Sequence, residues 1–144
     1  VSQALQIEPT DGTVELRIPA QAEWVAVARL AVAAVASRLH FSVDEIEDIK
    51  LAVAEACTNC IGHGSAADRI EIMSEVFADE VRVSVRDRGM GHKLEPVEVD
   101  AGFADGTRTE ELGIFLIRAL MDEVTYRVDP RSGTELVMIK RVVG

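Results

Sequence analysis

The chain has 144 residues, 48% of them apolar, and 25 acidic side chains against 15 basic ones give a formal charge of −10. That length suits one domain, and the apolar share is ample for a packed core, which excludes intrinsic disorder. The acidic balance argues against direct nucleic-acid partners and anionic membrane, because neutralising phosphates needs a basic face; one phosphate-bearing ligand is still within reach of a few backbone amides and a cation.

Cys57 and Cys60 are the only cysteines, and both fall in an apolar segment of helical pattern. That usage fits a reduced, cytoplasmic protein rather than a disulfide scaffold. No apolar run approaches the ~18 residues of a membrane span, and the first residues show no basic end followed by an apolar signal core. The expectation is a single domain over 1–144.

Along the chain, Val14, Leu16 and Ile18 alternate with polar residues until Pro19, which reads as a first strand at a sheet edge. Residues 21–39 are rich in Ala, Val and Leu. Trp24, Val27, Ala31, Ala34 or Val35, and Leu39 recur at helical spacing and are expected to face the core. Ser42-Val-Asp-Glu45 is a capping-box signature opening a helix to about Ile61, with Ile46, Ile49, Val53, Ala56 and Cys60 as its apolar stripe. Glu55, Asn59 and His63 step by four residues along another face of that helix. At 100° per residue this polar line lies about 100° from the centre of the stripe, at the rim of the core, where a pocket wall would be.

Gly62-His-Gly-Ser65 ends the helix. Arg69 to Phe77 and Val81 to Asp87 alternate around Ala78-Asp-Glu80, the pattern of a hairpin. Residues 92–110 show little periodicity, and an unstructured span of that length in a compact domain is usually functional or mobile. A helix follows over Leu112 to Met121, and two closing strands, Val124 to Val128 and Thr134 to Val142, flank the turn sequence Asp129-Pro-Arg-Ser-Gly133. This order predicts a two-layer α/β (α+β) sandwich with a mixed, mainly antiparallel sheet and helices on one face, not a doubly wound Rossmann sheet.

Three segments carry chemistry. Glu55 and Asn59 bring a carboxylate and an amide oxygen to one side of a helix; the amide is a hard ligand of the kind Mg²⁺ takes, and a nearby carboxylate can accept a hydroxyl proton. Asp87-x-Gly89-x-Gly91 ends a strand in an acid able to accept from an exocyclic amine such as adenine's, followed by glycines that allow close backbone approach. Glu110-Glu-Leu-Gly113 opens a helix whose free amides suit a phosphate. Cys57, Cys60 and His63 supply only three zinc ligands, two of them splayed by about 120° on a helix, so core cysteines are the better account.

Together these segments resemble the GHKL, or Bergerat-fold, ATPases. Asp48 to His63 resembles the N box, Val85 to Gly91 the first glycine box, Leu112 to Val124 the second box with its helix, and Gly133-Thr134 the last short motif. The Glu55-Ala-Cys-Thr-Asn59 and Leu120-Met-Asp-Glu-Val124 wording is similar to the anti-sigma-factor serine kinase family. The resemblance covers nearly the whole chain from about residue 14, and its strength lies in four motifs in order.

The resemblance implies a kinase using ATP and Mg²⁺. Glu55 would be the general base, Asn59 the Mg²⁺ ligand and Asp87 the adenine contact. Gly89, Gly91, Gly113 and Thr134 would line the nucleotide, His63 would border its phosphate end, and residues 92–111 would form the lid. Its partners would be a sigma factor and a STAS-type anti-anti-sigma protein phosphorylated on serine, and the kinase would be a homodimer. One departure stands out: Glu111 replaces a glycine common before Leu112-Gly113, and its charge near the polyphosphate calls for a cation such as Arg108, which joins the nucleotide-binding set. The alternatives are an anti-sigma module that binds nucleotide with weak or no kinase activity, and a GHKL ATP hydrolase.

Overall fold

A computed structural model describes residues 12–62, 69–87, 108–129 and 133–143. In chain order the elements are β1 (Thr13–Pro19), α1 (Ala22–Ala36), α2 (Val43–Gly62), β2 (Arg69–Val76), β3 (Glu80–Asp87), α3 (Arg108–Leu120), β4 (Glu123–Asp129) and β5 (Gly133–Arg141). The strands form one sheet in the order β1-β2-β3-β5-β4, every pairing antiparallel. This is the expected α+β sandwich. What the sequence did not specify is the insertion of β5 between β3 and β4, which leaves β1 and β4 at the edges. Pro19 ends the edge strand β1, where its missing N–H costs no central ladder bond.

Alternation decides which side chains meet the helices. Ile70, Ile72, Ser74 and Val76 of β2 and Val81, Val83, Val85 and Asp87 of β3 are buried, while their intervening neighbours face the other side of the sheet. Leu136 and Met138 of β5 join the same layer. From the helices come Ala28, Val32 and Ala36, the run Ile49, Ala52, Val53, Ala56, Cys57 and Cys60, and Ile114 and Ile117 of α3. All of these belong to one cluster. Truncating fully buried Ile49 or Ile117 to Ala would cost about 2–5 kcal/mol.

Local signals place α2. The Ser42 Oγ accepts from the Glu45 N–H at 3.1 Å and the Glu45 Oε1 accepts from the Ser42 N–H at 2.8 Å, a complete capping box. The predicted apolar stripe of α2 holds. That of α1 holds only in part: the helix ends at Ala36, where the Ser37 hydroxyl donates to the Ala34 carbonyl at 2.7 Å, and it buries Ala28, Val32 and Ala36, with Val35 and Leu39 partly buried against the core. Trp24 and Val27 are 41% and 40% exposed. A helix apolar on nearly every side carries little periodic contrast, and its buried positions fall on Ala28, Val32 and Ala36 rather than on Trp24 and Val27.

The face of the sheet away from the helices is a lattice of charges. Glu80 takes Arg82 at 2.8 Å and Arg141 at 3.4 Å, Arg141 also pairs with Glu123, and Arg17 and Arg86 lie 3.7 and 3.9 Å from Glu71. Such solvated pairs contribute little individually.

Candidate functional site

Helix α2 is held against the sheet by its buried stripe, so its orientation fixes Glu55 and Asn59 at the rim, both half-buried. Helix α3 then packs on α2. At the contact stands Gly113, buried. A Cβ added there would lie 2.9 Å from Asn59 Oδ1, 3.1 Å from Glu55 Oε2 and 3.3 Å from Asn59 Nδ2. Real Cβ atoms do not approach oxygen that closely, so the missing side chain is what lets α3 seat on this polar pair.

The second half of the site comes from the sheet. The alternation that buries Val81, Val83 and Val85 carries Asp87 inward at the end of β3, where it is 3% exposed. Register sets it opposite Thr134, the second residue of β5, and opposite Ile70 of β2. A buried carboxylate is costly unless it is partnered, and evolution rarely leaves one in a core without use. Its charge is felt by α2: Cys60 is pushed well above the ordinary thiol value, first by burial and then by Asp87 and Cys57. Burial alone raises Cys57 to about 12.

Between these elements lies a narrow cleft. Its polar lining is Asn59, Asp87 and Thr134, and its apolar walls are Ala56, Val85, Ile114 and Leu136. Cys60 and Tyr126 complete it. A buried carboxylate, an amide and a hydroxyl set among apolar walls are the mix of groups a small-molecule site uses, and Glu55 stands beside Asn59 at the Gly113 contact. The donor set matches Mg²⁺ in kind, because an amide oxygen and a carboxylate are hard ligands. Among the described residues no group of three or more His, Cys, Asp or Glu could hold a metal.

The fold brings Glu55, Asn59 and Gly113 together at one contact and Asn59, Asp87 and Thr134 around one cleft. His63, Gly89 and Gly91 lie outside the described residues, as do 92–107 of the expected lid and 130–132 of the last turn. Arg108 is the first residue of α3, its side chain outside the described part, so the helix begins within the 92–111 span expected to be lid. Sequence reasoning passed over Cys60, Tyr126, Ile114 and Leu136 as ligand-pocket residues. One of them had a signal: Leu136 is the next same-face position after Thr134 in β5, whereas Tyr126 of β4 reaches the cleft only through its pairing with Leu136.

A larger concavity on the other face of the sheet is lined by Glu15, Arg17, Glu71, Arg86 and Glu135. Arg17 and Arg86 both reach Glu71 there, which makes it part of the solvated charge lattice and not a rival site.

The model of the histidine kinase-like ATPase domain matches residues 18–140. The chain is 38% identical over 140 residues to the serine-protein kinase RsbW of Bacillus subtilis (strain 168), covering 91% of this chain and 86% of that one. It is 37% identical over 146 residues to the serine-protein kinase RsbW of Staphylococcus epidermidis, covering 94% and 91%. Among solved structures, that of the RsbU and RsbW domains of Rv1364c from Mycobacterium tuberculosis superposes with a TM-score of 0.66 at 19% identity. The match covers 90% of this chain and 32% of that longer one, and it bears on the fold.

Proposed function

The chain belongs to the histidine kinase-like ATPase domain family and, within it, to the RsbW serine-protein kinases, and from that premise we propose that it phosphorylates a serine of a STAS-type anti-anti-sigma protein with Mg-ATP and sequesters a sigma factor. The observation that carries the site assignment is the seat of Gly113 against Asn59 and Glu55. It sets the second turn of α3 beside an amide able to bind a metal and a candidate base.

In this reading the buried Asp87 accepts from the adenine amine, with Thr134 beside it and Val85, Ile114 and Leu136 against the ring. Gly89, Gly91, His63 and Arg108 complete the nucleotide site from the segments next to it. Asn59 would hold Mg²⁺ through its amide oxygen, and the ion would supply neutralisation of the charge on the transferring group. Glu55 accepts the proton of the serine hydroxyl as its oxygen bonds to the γ-phosphorus and the bond to the ADP oxygen breaks. The phosphoserine so formed carries close to two negative charges at neutral pH, which would weaken the product's hold on an acidic protein of net charge −10 and free it for a sigma factor.

The same reading makes the protein one domain, with its lid in the 92–111 span, a homodimer and a resident of the cytoplasm. An open edge at β1 and the outer stripe of Trp24, Val27 and Leu30 on α1 support self-association. Among the described residues no helix is long and apolar enough to cross a membrane. Glu111, an anion one position before Leu112-Gly113, favours a second reading in which nucleotide is bound but transfer is weak. Incubation with γ-labelled ATP and the STAS proteins of the host genome separates the two. Label on a partner serine is the expected result; ATP uptake without labelled partner would select the second reading, and partner-independent phosphate release would select an ATP hydrolase.

A further inference from the structure

A lysine at a helix-facing position of a sheet is unusual, because its ammonium must find partners there or lose its solvation uncompensated. Lys140 stands at such a position in β5. Leu136 and Met138 precede it at two-residue steps on the side that meets the helices. Its side chain is 14% exposed. The ammonium donates to the Leu120 carbonyl at 2.7 Å, one of the carbonyls that the end of α3 leaves without a helical partner, and it lies 4.0 Å from Asp48 Oδ2 near the start of α2. The neighbours of Lys140 hold the same junction. The Ile139 carbonyl accepts from the Asp122 N–H at 2.9 Å, and the Arg141 N–H donates to Asp122 Oδ2 at 2.6 Å. Three consecutive residues of β5 thus fasten the Leu120-Met-Asp122 end of α3, a segment outside the cleft.

The junction and the site are the two ends of one seam. Asp48 and Glu55 are seven residues apart on α2, and Gly113 and Leu120 are seven apart on α3. Seven residues are nearly two turns, so each pair shares one face of its helix at a spacing of about 10 Å. Lys140 joins Asp48 to Leu120, and at the other end Gly113 abuts Glu55 and Asn59. The helices therefore run antiparallel and are pinned at both ends of equal spans. Ala52 and Ile117, between those ends, are fully buried. The Gly113 contact has no slack: a Cβ there would stand 2.9 Å from Asn59 Oδ1 and 3.1 Å from Glu55 Oε2, so α3 cannot close further on α2 without moving the polar pair. We propose that Lys140 is a positioning residue for phosphoryl transfer: by fixing the end of α3 against α2 and β5, it sets the register at which Gly113 seats on Glu55 and Asn59. The inference rests on the kinase reading above. A transfer step is sensitive to misplacement of its base by as little as ~1 Å, even when the cause lies far from the chemistry.

The test is steady-state transfer from labelled ATP to the host STAS protein that the wild type labels. Lys140→Met keeps an unbranched side chain and removes the ammonium. The expected result is a kcat lowered about tenfold, with KM for the acceptor and Kd for Mg-ATP within about twofold of the wild type. Lys140→Arg, which restores a cationic donor, should recover most of the loss. Lys140→Gln, polar but too short to span the same distance, takes the place of the Met variant if that one does not fold. Both Lys140→Met and Gly113→Ala act on one contact, so the double variant should be little slower than Gly113→Ala alone, a coupling between opposite ends of the seam that independent effects would not give. A lowered melting temperature with unchanged kcat, or losses that simply add in the double variant, overturns the positioning role while the kinase reading stands. If the wild type labels no protein at all, the kinase reading fails and the positioning role falls with it.

Discussion

The Cα of Gly113 points at the amide of Asn59 so closely that a single methyl would stand 2.9 Å from its Oδ1. The atoms in the way are ends of flexible side chains, on Asn59 and Glu55, not backbone. Gly113→Ala should therefore spare the fold and displace the polar pair. In a helix interior Ala is favoured over Gly by about 1 kcal/mol, so the melting temperature is expected to hold or rise while phosphoryl transfer falls at least about tenfold. Thermal melts and transfer rates on one preparation check this. A less stable but fully active variant would mean that the glycine serves packing alone.

Glu55→Gln keeps the size of the side chain and removes its basicity. Transfer should drop by about 10²–10⁴-fold, the usual worth of a positioned general base, with ATP affinity nearly unchanged. Comparable turnover in the variant would take Glu55 out of the mechanism.

Asn59→Ala should lower nucleotide affinity only where magnesium is present. Titrations of ATP with Mg²⁺ and with chelator give the contrast; equal loss in both conditions would assign Asn59 to packing instead of metal binding.

Asp87→Asn leaves the packing of the β3 end intact and replaces an acceptor-only group by an amide. A hydrogen bond to a charged group contributes about 1.5–3 kcal/mol, so ATP binding should weaken roughly 10- to 100-fold. The preference for ATP over GTP should narrow as well. Competition binding with the two nucleotides reads both effects.

The buried thiols set a pH dependence. Burial raises Cys57 from 9.0 to about 12, and Cys60 shifts the same way. A folded-state value above the unfolded one means that the unfolded chain releases its protons first. The stabilisation is full below about 9 and is lost as pH rises from about 9 towards 12. Urea midpoints should fall across that window, and less so in Cys57→Ala. Both thiols should resist alkylation in the folded protein and react once it is unfolded. Rapid alkylation of native Cys60 would contradict its placement.

How much of this was written in the sequence follows from what periodicity can report. It places residues on faces within an element. It therefore found the buried stripe of α2 and the rim position of Glu55 and Asn59. Periodicity says nothing of which element lies next door. The entry of β5 between β3 and β4, which brings Thr134 opposite Asp87, is a tertiary fact. So is the approach of α3 that makes Gly113 necessary, and so are the pocket roles of Cys60 and Tyr126. In α1 the signal held for Val35 and Leu39 and failed for Trp24 and Val27, because the fully buried positions there are Ala28, Val32 and Ala36. The roles of the boxes came from the resemblance, not from the pattern.

The claim on which the rest depends is that the pocket between α2, α3 and the ends of β3 and β5 takes up ATP with magnesium. Calorimetric titration of the intact chain with ATP, with and without Mg²⁺, tests it directly. The account predicts saturable uptake at one site per chain that strengthens with magnesium and weakens in Asp87→Asn. No uptake in any magnesium condition, or uptake indifferent to Asp87, would contradict it.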